Sequence, residues 1–145
     1  MKFGLDKRRV GAVVGLAAAT VLASSANAWA NWQSYIVSWT DGNKSSSWDD
    51  ESYTEVRFKN CFAQYSTNDK VVVKVQRYIA GVPYTSYGTH TFTNCFTGTN
   101  KVSAGEWTGL ASGSYKFETT QVAQGNSCCL LNVGVVYVDT TKADS

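Results

Sequence analysis

In Lys70-Val71-Val72-Val73-Lys74-Val75-Gln76-Arg77-Tyr78-Ile79, residues Val71, Val73 and Val75 fall on one face of an extended chain. Val72, Lys74 and Gln76 fall on the other, because successive side chains of a strand point to opposite sides. β-branched residues at this two-residue period specify a strand with one buried face. Ala80-Gly81-Val82-Pro83 then reads as a turn.

The same signals recur on both sides of this segment. Runs rich in β-branched and aromatic residues occur at 32–39, 53–62, 84–96, 107–110, 114–122 and 130–138, separated by Gly, Asn, Asp and Ser. In the first, Tyr35, Val37 and Trp39 share a face. In the second, Val56 and Phe58 oppose Arg57 and Lys59. The last run is almost continuously apolar, as a strand buried on both sides would be. Residues 41–50 read as a polar loop and 140–145 as a frayed tail. No segment shows sustained helical periodicity, and Pro83 is the only proline. About seven short strands predict an all-β fold, an antiparallel β-sandwich of Greek-key or immunoglobulin-like type. Leu110-x-x-Gly113-x-Tyr115 resembles the tyrosine corner of such sandwiches, in which the phenol bonds back to an upstream backbone group.

Phe58-Lys59-Asn60-Cys61-Phe62 is echoed by Phe92-Thr93-Asn94-Cys95-Phe96. With Phe in the core, the two cysteines face outward or sit at strand ends. The other cysteines are the adjacent pair Cys128 and Cys129. In an oxidising compartment all four should form disulfides. A ring closed between neighbours departs from ordinary disulfide geometry. The expected arrangement therefore joins Cys61 and Cys95 each to one member of the Cys128-Cys129 pair, with Cys61–Cys95 as the alternative.

The compartment is read from the first residues. Lys2, Lys7, Arg8 and Arg9 precede an uncharged Val-, Leu- and Ala-rich stretch at 10–23, followed by Ser24-Ser25-Ala26-Asn27-Ala28. A charged region, an apolar region and an A-x-A end make a secretory signal peptide of bacterial character, residues 1–28. Ala28-Trp29-Ala30 offers a second cleavage point. Residues 29–145 are then one secreted, extracellular domain with no membrane span. The chain carries 13 Lys and Arg against 11 Asp and Glu. Four of the bases and one acid belong to the leader, so the remainder holds one more acid than base. That balance offers no attraction to phosphate backbones, and nucleic acid is not an expected partner.

No catalytic constellation is legible. His90 is the only His and lies within Gly88-Thr89-His90-Thr91-Phe92, without a nucleophile turn. Oxidised cysteines supply no thiolate. Asp49-Asp50-Glu51 lacks calcium-loop spacing and reads as a solvated acidic loop. No cofactor or metal is expected. The aromatics are more informative. Trp48 follows Ser45-Ser46-Ser47 and precedes the acids, where burial is least expected, and Tyr84 and Tyr87 follow the turn. Exposed Trp and Tyr anchor interfaces. The expected binding residues are Trp48, Asp49, Asp50, Tyr84 and Tyr87, with an extracellular protein or a glycan as partner. The leading expectation is a secreted non-catalytic binding protein, such as an inhibitor of an extracellular hydrolase. The alternatives are a carbohydrate-binding module using the exposed aromatics, a toxin or structural surface protein, and an enzyme.

Overall fold

The computed structural model describes residues 31–141. The leader expected at 1–28 and the last residues of the expected tail lie outside them. Seven strands run antiparallel: β1 (Trp32–Trp39), β2 (Asn43–Lys44), β3 (Trp48–Gln64), β4 (Val71–Ile79), β5 (Val82–Phe92), β6 (Val102–Val122) and β7 (Leu130–Asp139). A single 3₁₀ turn, Asn94–Phe96, follows β5. No helix among the described residues is long and apolar enough to cross a membrane.

The hydrogen-bonded order is β1-β7-β3-β6-β4-β5, with β2 also on β6. The long strand β6 belongs to two sheets. Its first half pairs with the main part of β3, and its second half with β4 on one side and with β2 and the start of β3 on the other. The front sheet therefore reads β1-β7-β3-β6 and the back sheet β2-β6-β4-β5. With the two halves of β6 counted separately, this is the eight-segment Greek-key order of a jelly roll. Of the sandwich types anticipated, the Greek-key one is adopted, rather than the ABED/CFG arrangement of immunoglobulin domains.

Two left-handed residues make the corner. Ser52 (φ 72) lies opposite Leu110, and Gly109 (φ 69) is the extra residue on β6 before the pair Tyr53–Thr108. A bulge bends a strand without ending it. The runs at 107–110 and 114–122 are thus one strand, and the loop expected at 41–50 contains β2 and the start of β3.

Valines of β4 behave as their alternation dictates: Val71, Val73 and Val75 are fully buried. The sheets meet at Phe58 of β3, whose ring lies edge-on to Phe92 (5.1 Å) and Phe117 (5.6 Å) of the back sheet. Trp39 packs against Phe117 from β1. It does so because Ser38 (φ 57) bulges, splitting the face that Tyr35, Val37 and Trp39 were expected to share. Ile36 is the core residue there, and Tyr35 and Val37 point out. At the β6 corner the Tyr115 hydroxyl donates to the Ala111 carbonyl, the back-bond that Leu110-x-x-Gly113-x-Tyr115 suggested. Thr140, assigned to the tail, is buried, and its N–H donates to the Asn31 side chain.

The disulfides correct the expected pairing. Cys61 joins Cys95, with Cα atoms 5.2 Å apart, and Cys128 joins Cys129. Cys61 lies across from Val133, and the 3₁₀ turn carries Cys95 beside it. Cys129 precedes β7, ~13 Å along the strand direction from Val133, beyond the reach of a bridge.

Candidate functional site

Trp48 is a core residue, 7% exposed. Its ring lies 6.0 Å from Trp32 and 6.4 Å from Phe117, and its indole N–H donates to Asp50. Trp48 and Asp50 share the inward face of β3, while Asp49 and Glu51 point to solvent. The buried Asp50 carboxylate also accepts the Glu51 N–H at 2.7 Å. The expectation of an exposed Trp48 is therefore overturned, and of the three acids expected in solvent Asp50 is buried while Asp49 and Glu51 are exposed. The apolar partners come from β1 and β6, which local sequence does not show. A glycan platform built on Trp48 goes with it. Among the described residues no group of three or more His, Cys, Asp or Glu is placed to hold a metal ion.

The two tyrosines are separated. Tyr87 turns inward, 5.8 Å from the Tyr115 ring, with its hydroxyl at the Ala111 N–H. Tyr84 stands 68% exposed near the tip of the β4–β5 hairpin, with Val82 at 62% and Ile79 at 45%. Ile79 pairs with Val82, and Ala80 (φ 53) and Gly81 (φ 79) form the two-residue connection. Left-handed conformations at both central residues define the type I′ turn, whose twist matches the flanking strands. No charged residue occurs between Arg77 and His90. Arg77 itself lies 5.8 Å over the Tyr84 ring.

His90, though exposed, links β5 to β6. Its ring sits edge-on to Trp107 at 4.7 Å, and its Nε2 meets the Glu106 carbonyl at 2.9 Å. A Cβ on Gly105 would lie 2.9 Å from this ring, so glycine is required for β6 to pass beneath it.

One constellation escaped the sequence reading. Glu55 of β3 lies directly across from Glu106 of β6 on one side and from Asp139 of β7 on the other. Three carboxylates thus form a row over three strands, where like charges directly opposite are unfavourable. The surroundings compensate. Arg57 contacts Glu55 at 2.7 Å and Asp139 at 3.7 Å, and the Tyr53 hydroxyl donates to Glu106 at 2.7 Å. Burial, then the Glu106 hydrogen bond, pushes the Tyr53 phenol pKa above its ordinary value. The Glu55 hydrogen bond raises Arg57 further. The Tyr137 ring carries Arg57 at 5.0 Å. No motif could have shown this row, because its members come from three strands.

No protein-family model, no curated protein and no solved structure matches the chain. Function is therefore read from the chain's own surfaces. Among the described residues, exposed large apolar side chains gather in two places, with Tyr65 and Val102 exposed apart from them. One is the hairpin tip, and the other is the outer front sheet with Tyr35, Val37 and Phe62.

Proposed function

We propose that the chain is a secreted binding protein that engages an extracellular protein through the β4–β5 hairpin tip. The observation that carries this reading is the exposure of Ile79, Val82 and Tyr84 around a two-residue turn in an uncharged segment. Apolar groups held in water at a hairpin tip gain free energy when a partner covers them. A tight turn holds them in place before contact, which lowers the ordering cost of association. A small apolar hairpin tip suits a concave partner, and an extracellular hydrolase cleft is the partner class to examine first. The leader-like N-terminus and the paired cysteines support an extracellular setting.

The test uses the purified secreted protein against extracellular hydrolases and proteins of the producer's culture medium. Tyr84→Ser and Val82→Ser should keep the melting temperature and weaken binding, Tyr84→Ser by about 2 kcal/mol or more. A partner whose affinity is indifferent to both substitutions would overturn the proposal.

A further inference from the structure

The four sheet edges are treated unequally. At the end where β5 and β6 meet, the Trp107 indole N–H donates to the Gly88 carbonyl at 3.0 Å and His90 meets the Glu106 carbonyl. These contacts tie the two edges together, and the rest of β5 carries Pro83, which cannot donate to an added strand. The third edge is β2, two residues long, continued by the start of β3, which carries Asp49, Asp50 and Glu51. The fourth is β1, with eight residues, Trp-Gln-Ser-Tyr-Ile-Val-Ser-Trp, containing neither charge nor proline. Charge, proline, brevity, cover and bulges are how sheets block unwanted pairing; among the described residues β1 has only the last, a single bulge at Ser38 near its end.

Its geometry leaves room for a partner. The register shift between Ser34 and Ile36 puts the extra residue on β7, so β1 itself runs regularly until its bulge at Ser38. Ile36 faces the core, while Tyr35 (68% exposed) and Val37 (61%) face outward on the front sheet. Across β7 the outward surface continues to Phe62, which lies opposite Asn132.

We infer that β1 pairs antiparallel with β1 of a second copy, making a two-fold dimer with one continuous front sheet. The second copy is the occupant because the strand is self-complementary. A two-fold pairing sets uncharged residues against uncharged residues throughout, with no like charges opposed. It also joins the Tyr35 and Val37 surfaces of both copies. A charged foreign strand would find no countercharge on β1. This inference is independent of the hairpin tip.

Sedimentation of the secreted protein from nanomolar to near-millimolar concentration tests it. The mass should rise from monomer to dimer, and hydrogen exchange of β1 amides should slow in step. Tyr35→Lys places two cations near each other across the two-fold and should weaken the dimer roughly tenfold or more, with the melting temperature unchanged at concentrations where the parent is monomeric. Val82→Ser should leave the dimer intact. A monomer at every concentration would overturn the inference. So would a dimer that ignores Tyr35→Lys or leaves β1 exchange unaltered.

Discussion

Asn60 and Gly134 meet across β3 and β7, so close that a Cβ on Gly134 would stand 3.1 Å from the Asn60 Cβ. They lie between the pairs Lys59–Val135 and Cys61–Val133, and both strands change their buried face there. On β3, Val56 and Phe58 point inward before the site, and Ala63 after it. On β7, Leu131 and Val133 point inward before, and Val136 and Val138 after. Asn60 takes φ 59, which Asn tolerates better than most side chains.

Gly134→Ala should therefore destabilise the fold modestly, by about 1 kcal/mol, the low end for forcing in an extra carbon, because both residues are exposed and the crowding is confined to the one close approach of their Cβ positions. The neighbouring Cβ is fixed to the strand backbone and cannot swing away. In an Asn60→Gly background the same substitution should cost close to nothing, because the opposing carbon is gone. A double-mutant cycle from urea unfolding measures the coupling. Additive effects would mean that the two residues do not interfere.

This site also explains what the sequence could and could not reveal. Strands whose alternation stays in phase, such as Val71-Val73-Val75, were legible residue by residue. The run at 130–138 looked buried on both sides because its inward face switches at Gly134. Gly109 bends β6 through a corner that resembled a break between strands. Phe62 was expected to share the face of Phe58, but it follows the Asn60 switch and is exposed. Of the expected binding residues, Tyr84 lies on an open surface. Trp48 and Asp50 are inside because Trp32 and Phe117, distant in sequence, surround them. Local composition cannot report such neighbours, and likewise it hid Glu55, Glu106 and Asp139.

Trp48→Ala should cost about 3–5 kcal/mol, as expected for deleting a buried aromatic ring. It would also leave the Asp50 carboxylate without its indole donor. Trp48→Phe should restore much of the packing but not the hydrogen bond. Chemical denaturation gives the magnitudes. The native emission should lose a blue-shifted component in either variant. A Trp48→Ala protein as stable as the parent would mean that the ring is not in the core.

The two disulfides should contribute unequally. Cys61–Cys95 spans 34 positions, whereas Cys128–Cys129 spans one. Bridging distant residues restricts the unfolded chain, by about 4 kcal/mol for a loop of the longer size, while linking neighbours restricts it little. Cys61→Ala with Cys95→Ala should thus lower stability strongly. Cys128→Ser with Cys129→Ala should lower it much less, chiefly through lost packing at buried Cys129. Equal losses in the two double variants would contradict the chain-restriction account. Peptide mapping under non-reducing conditions should recover 61 linked to 95.

Alkaline pH should unfold this protein through its tyrosines. Burial is the first cause raising the phenol pKa of Tyr53, Tyr78, Tyr115 and Tyr137 above the ordinary 10.0. For Tyr53 the Glu106 hydrogen bond adds to it, and for Tyr115 hydrogen bonding with Tyr87 does the same. Above pH 10.0 the unfolded chain releases these protons while the folded chain keeps them. The folded state then binds more protons than the unfolded state, so stability falls as pH rises. Their contribution is fully present below the ordinary phenol range and is lost progressively above it. Unfolding free energies measured from neutral to strongly alkaline pH should show this decline, with a shallower slope in Tyr53→Phe. The phenolate absorbance of these residues should appear together with the loss of near-ultraviolet circular dichroism. Its appearance in Tyr53 or Tyr115 while the dichroism is still native would show that these hydroxyls are open to solvent, against the burial and hydrogen bonding described above.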